Sequence, residues 1–269
     1  MTTGGPCTNA RSIVHVGDIH FGAEDTRALN ALADALTHIN PSLVVVAGDL
    51  TYRARRGEFV AARQWLASLG LPVVLTAGNH DIPYYDLVAR AFSPFAAFDR
   101  NFSNSGVRSL QNEAFSIVTL NTARGMQTRL NWAQGVISVP QAQAAAAELS
   151  AMRRGAVRIV VCHHPLILPA GAPIKAYTRG GPEAAEIFVH AGVDLALSGH
   201  LHRPFAQAFP FGDRNTWSVG CGTLSHRQRG APASFSVLTR TEGGVEVTPW
   251  HVNAGVAEPT ETQKLPLRR

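Results

Sequence analysis

The chain reads as an α/β protein, a four-layer αββα sandwich of two mixed β-sheets flanked by helices. Two observations predict this. Short β-branched runs alternate with helical periodicities over most of the 269 residues, and the final stretch changes to strands alone. The runs are also apolar from end to end, the pattern of strands covered on both faces.

Taken in order, Ser12–Val16 is a first strand. Residues 25–40 follow as a helix with Leu29, Leu32, Leu36 and Ile39 on one face, stopped by Pro41. A strand at Leu43–Ala47 precedes a second helix over Gly57–Leu69, with Gly70 past its end. Strands at Val73–Ala77 and Phe115–Leu120 bracket a cluster of Tyr84, Tyr85, Phe92, Phe95, Phe98 and Phe102. The last four have helical spacing, which fits an amphipathic helix docked on the core, or else part of a cap over a site within residues 83–135. An alanine-rich helix at Gln141–Arg154, a strand at Ile159–Cys162, a helix at Pro182–Ala191 and a strand at Val193–Ser198 complete the alternation. Strands at Thr216–Gly220, Ser234–Thr241 and Val245–Val252 end the chain, the last two joined at Gly243-Gly244 as a hairpin. One domain over 12–253 is expected, with 1–11 a flexible N-terminus and 254–269 a solvated tail.

Composition bounds the function. Hydrophobic content of 45% with 16% charged residues excludes a disordered chain. The opening residues lack the basic start and apolar stretch of a signal peptide, and no run reaches membrane-spanning length, so a cytoplasmic address is expected. Cys7, Cys162 and Cys221 have neither zinc-finger nor redox spacing. The formal net charge of +5 favours a small phosphorylated substrate. The arginines are scattered without a stripe interleaved with aromatics, which argues against a stable nucleic-acid complex. Basic residues in the tail allow at most weak peripheral contact with an anionic membrane.

The chemistry lies at the ends of five of the runs. They terminate in Asp18-Ile-His20, Gly48-Asp49, Gly78-Asn79-His80-Asp81, His163-His164-Pro165 and Gly199-His200-Leu-His202. In open α/β sheets the ligand site lies beyond the carboxyl ends of the strands, so these residues converge however far apart they are in sequence. If the backbone is extended there, both members of each i, i+2 pair point the same way and can chelate one ion. Two carboxylates, four histidines and an amide oxygen form a mixed nitrogen and oxygen set, suited to Mn, Fe, Zn, Co or Ni.

These five motifs, in this order, resemble those of the calcineurin-like metallophosphoesterases. The likeness spans residues 18–202, most of the chain. Gly48-Asp49-Leu50-Thr51, Gly78–Pro83 and Ser225–Gly230 are most similar to the bacterial class III cyclic-nucleotide phosphodiesterases. The resemblance implies the metallophosphoesterase fold and two divalent metal ions. Asp18, His20, Asp49 and His202 would hold one; Asp49, Asn79, His163 and His200 would hold the other, with Asp49 bridging. A hydroxide on the ions would attack a small phosphodiester in line. His80 would protonate the leaving alkoxide, with Asp81 orienting it, unless the pair merely anchors its loop. His164 reads as a residue behind the ligands. Arg124 and Arg227 are candidate contacts to a substrate phosphate, with a surface ion pair as the alternative.

Three functions compete on this reading. The first is a phosphodiesterase, with a cyclic nucleotide as the leading substrate. The second is a pyrophosphohydrolase of the UDP-2,3-diacylglucosamine type, using the same metal motifs. The third is an inactive protein-binding scaffold, against which stands the complete ligand set.

Overall fold

The computed structural model describes residues 9–103, 106, 108–128, 131–212 and 214–268. Two sheets face each other, with helices on both outer sides. The first sheet contains β1 (Asn9–Val16), β2 (Pro41–Val46), β3 (Val73–Leu75), β10 (Ser234–Arg240), β11 (Gly244–Asn253), β12 (Val256–Pro259) and β13 (Gln263–Pro266). Its order is β12-β11-β10-β1-β2-β3, with β13 also pairing β11. The second contains β4 (Ser109–Gln111), β5 (Phe115–Leu120), β6 (Val157–Cys162), β7 (Leu195–Ser198), β8 (Phe205–Ala208) and β9 (Trp217–Gly220), in the order β4-β5-β6-β7-β9-β8.

Alternation along each strand builds the layers. Ile13, Leu43, Val45 and Val74 point inward from the first sheet. They meet Phe115, Ile117, Ile159, Val161, Leu195 and Leu197 from the second. Val14, Val44 and Val46 point the other way, under helices α1 (Thr26–Ile39) and α2 (Arg56–Ser68). The outer face of the second sheet carries α5 (Val139–Ala151) and α6 (Gly181–His190), which bury Ala142, Ala145, Leu149, Ala185 and Phe188. Asp25 caps α1 by accepting from the Arg27 and Ala28 amides. Ser138 and Gln141 form a capping box on α5.

The polarity of the strands places the site. β1, β2 and β3 run parallel, as do β5, β6, β7 and β9. Their carboxyl ends therefore gather at one edge of the sandwich. β10 is antiparallel to β1, so the loop that leads into it, with Arg227 and Arg229, reaches the same edge.

Three expectations need correction. The segment 254–269 is not a solvated tail: β12 and β13 pair with β11, and Leu265 is buried between the sheets. The strands begin at Asn9 rather than residue 12; residues 1–8 of the expected N-terminal segment lie outside those described. The segment 83–135 is not one cap, because β5 is an integral strand of the second sheet. Within it Pro94 interrupts the helical spacing, giving two short helices, α3 (Leu87–Phe92) and α4 (Ala96–Phe102). Phe98 and Phe102 enter the core, whereas Phe92 is 87% exposed. Among the described residues no helix is long and apolar enough to cross a membrane.

Candidate metal centre

Five of the residues at the strand ends leave their strands through the left-handed region of φ. Asp18 (+53°), His20 (+52°), Asp49 (+53°), His200 (+68°) and His202 (+56°) all adopt it, so the backbone there is not extended as the spacing argument assumed. In each i, i+2 pair both members adopt this conformation, and both still face the site, while Ile19 and Leu201 between them are buried. Non-glycine residues seldom hold this conformation, and it costs on the order of 1–3 kcal/mol at each position. Gly78 lets the loops close: a Cβ there would lie 2.1 Å from Asp49 Oδ1 and 2.4 Å from the Asp49 nitrogen.

Two overlapping sets of donors result. In the first, His202 Nε2 lies 3.1 Å from Asp18 Oδ1 and 3.4 Å from His20 Nε2, and His20 Nε2 lies 3.8 Å from Asp49 Oδ2. In the second, His163 Nε2 lies 3.3 Å from Asp49 Oδ2, 3.2 Å from Asn79 Oδ1 and 3.2 Å from His200 Nδ1. Asp49 Oδ2 is common to both. The two aspartates and the four histidines are buried.

The hydrogen bonds around these groups identify what they face. His20 Nδ1 (3.3 Å from the Thr51 carbonyl), His163 Nδ1 (2.7 Å from the Ala47 carbonyl) and His202 Nδ1 (against the Arg227 carbonyl) must each donate, since a carbonyl only accepts. That leaves Nε2 of each ring turned inward, the tautomer that metal-binding histidines adopt. The lone pairs of His20 and His202 then face one another, and Asp18 Oδ1 is buried with no hydrogen-bond donor. Divalent cations would satisfy such an arrangement, and the residues fit a pair of them.

Electrostatics agree. Burial raises the Asp49 carboxyl, but the charges of His163 and His80 outweigh it and hold it well below the usual range. Burial lowers His163, yet Asp49's charge and hydrogen bond bring it to about 9, an attraction that a bound cation would take over. Burial depresses His20 to about 3 and holds His200 well below its ordinary value. Both are neutral and ready to ligate.

His164 also lies within reach of His163 and His200. Both its ring nitrogens are engaged, however, with Thr122 Oγ1 and the Ala133 carbonyl, each at 2.9 Å. It therefore buttresses the site from behind. His80 stands at the rim, half-buried. Its Nδ1 lies 2.7 Å from the Tyr52 carbonyl, and its Nε2 accepts from Arg227 Nη1 at 3.0 Å. Arg227 also reaches His20 Nε2 at 3.3 Å and lies over the Tyr52 ring.

Two sequence assignments do not survive. Asp81 does not orient His80; the Tyr52 carbonyl does. The Asp81 carboxylate instead accepts from the Leu50, Thr51 and Gly78 amides and the Thr51 hydroxyl, tying two ligand loops together. Burial, then Asp49's charge, pushes it up to about 7 despite those bonds. Arg124 makes its hydrogen bonds within the protein, Nη1 to the Asn121 and Ala123 carbonyls and Nη2 to Gln141 Oε1, and none to the donor sets. Sequence reasoning missed the Tyr52 carbonyl, Arg90 and Trp132. The last two line a cleft of about 420 Å³ beside Asn79 and His80. A backbone carbonyl has no sequence signal, and Trp132 sits in a loop without periodicity.

The calcineurin-like phosphoesterase model matches residues 11–204, which includes every residue of both donor sets. The chain belongs to that family. It is accordingly a metal-dependent phosphoric ester hydrolase. A protein of Synechococcus sp. named as a probable cyclic nucleotide phosphodiesterase is 26% identical over 222 residues, 78% of this chain and 79% of the relative. The glycerophosphodiester phosphodiesterase GpdQ of Enterobacter lignolyticus is 32% identical over 80 residues, 26% of this chain and 29% of that protein. In fold, the chain is similar to a dimetal phosphatase of Danio rerio, with a TM-score of 0.66 at 12% identity over 96% of this chain and 99% of the other.

The hydrogen-bond pattern assigns Asp81 a holding role, which is testable. Asp81→Ala should lower stability by about 3–5 kcal/mol, because it strands buried amides. It should reduce metal content as well as turnover. A variant that melts normally, keeps its metal and loses only turnover would restore the catalytic role.

Proposed function

We propose that the chain hydrolyses a small phosphodiester, with a cyclic nucleotide as the leading candidate. The observation that carries this is the position of His80. Its Nε2 faces Arg227 at the rim of the donor sets, and the cleft beside it has room for a second ester group. The named activity of the Synechococcus relative supports the same class.

On this reading Asp18, His20, Asp49 and His202 hold one ion, and Asp49, Asn79, His163 and His200 hold the other. Two divalent cations would supply charge to the phosphoryl oxygens and bring the pKa of an attacking water toward neutrality. The protein's own groups do the rest. His80 donates through Nδ1 to the Tyr52 carbonyl, which fixes the ring; once Arg227 turns to the phosphoryl group, Nε2 is open to take up a proton and pass it to the leaving oxygen. Arg227, drawn between His20 and His80, is placed to turn its forked donors onto a phosphoryl oxygen. Arg229 donates to the His200 carbonyl at 2.7 Å and steadies that ligand.

Two outcomes are expected. The metal-loaded protein should turn over bis-p-nitrophenyl phosphate faster than p-nitrophenyl phosphate; a reversed preference in steady-state assays would favour a monoesterase or a pyrophosphohydrolase. His80→Ala should keep its metal while kcat falls by about 10²–10⁴. Metal loss in that variant, measured alongside the kinetics, would make His80 a ligand instead.

A further inference from the structure

The cleft beside His80 is lined by Asn79, Tyr84, Arg90, Trp132 and Ala133 as well as His80 itself. Its size falls within the range of small-molecule sites. Two of its walls are aromatic, and neither belongs to the core. Tyr84 is 58% exposed and packs edge-on against Tyr85, with ring centroids 5.0 Å apart. Tyr85 is itself braced from below, because Arg53 Nη1 donates to its hydroxyl at 2.8 Å and the Arg53 and Arg55 guanidinium groups approach its ring. The exposed Tyr84 ring is thus held in place at the mouth of the metal site.

The second wall is built differently. Arg90 is buried and lies over the Trp132 ring, 5.1 Å from its centroid. The bonds it makes run to the Gly125 carbonyl (Nε, 2.7 Å) and the Pro83 carbonyl (Nη1, 3.0 Å). These bonds fix the guanidinium in the wall and join the Tyr84 segment to the Trp132 segment. Arg90 therefore serves to position the cleft. An acyl chain would gain little from a cleft with a guanidinium, an amide and an imidazole in its lining. A flat heterocycle can stack on the rings and use the polar groups with its edge.

We infer that the cleft between Tyr84 and Trp132 is the subsite for a planar aromatic group on the substrate's alcohol portion, a nucleobase in chemical class. This rests on the phosphodiesterase reading and sharpens it. It selects nucleoside esters over esters of small polyols such as glycerol.

The test compares adenosine 5′-monophosphate with ribose 5-phosphate as inhibitors of bis-p-nitrophenyl phosphate turnover, a pair in which an anomeric hydroxyl replaces the base. The adenosine ligand should bind about 5- to 100-fold tighter, the range that base–aromatic stacking supplies. Tyr84→Ala should remove much of that ratio while leaving the inhibition constant for ribose 5-phosphate unchanged. Trp132→Phe, which keeps a ring, should retain most of it. Equal inhibition constants in the unaltered protein would overturn the inference, as would a Tyr84→Ala effect shared equally by both ligands. Failure to turn over the diester would count against the phosphodiesterase reading instead. Calorimetric titration of the same two ligands into metal-loaded protein would then decide the subsite on its own.

Discussion

The Asp49 carboxylate sits where the two sheets meet, and the site is organised around it. One oxygen faces His20 from the first sheet and His163 from the second, while the other accepts from the His80 amide at 2.8 Å. His163 returns the contact by donating to the Ala47 carbonyl at the end of β2. This anionic group thus couples the two layers at the site, beside polar contacts such as the His200 amide to Asp18 Oδ2 (2.7 Å) and the Thr76 hydroxyl to the Leu120 carbonyl (3.0 Å). Removing it would leave the two donor sets without a common member.

Holding this group has a cost that the fold accepts elsewhere. Five donor residues occupy the left-handed region, and carboxylates and imidazoles are buried together with little water to screen them. Such strain persists only where the surroundings over-determine it. The close approach at Gly78, the four bonds to Asp81 and the bond from Thr223 Oγ1 to the Asp18 carbonyl do so here. The interior is therefore arranged for cation binding ahead of stability, and the extensive inter-sheet core offsets the expense.

Much of this was legible in the sequence because strand ends carry information. Apolar runs fix strands, parallel strands share an edge, and the polar residues just past each run must meet there. In the structure Asp18, His20, Asp49, Asn79, His163, His200 and His202 do come together at that edge. That logic failed where position depends on backbone detail or on distant partners. The role of Asp81 turned on which amides happen to surround it. Arg124 was captured by Gln141 at the start of α5, a contact that spacing does not announce. The strands after residue 254 were missed because their pattern is short and mostly exposed, with Leu265 the fully buried residue among those described there. The aromatic wall at Trp132 was invisible because its partner, Arg90, comes from a distant helix, α3.

The proposed pair of cation sites depends on Asp49 as a shared carboxylate, and metal stoichiometry tests that directly. Elemental analysis by plasma mass spectrometry should find about two transition-metal ions per chain in the metal-reconstituted protein. The Asp49→Ala variant should hold fewer than about one, because both sites lose the ligand they share. Two ions retained after that substitution, or a single ion in the unaltered protein, would contradict the bridge.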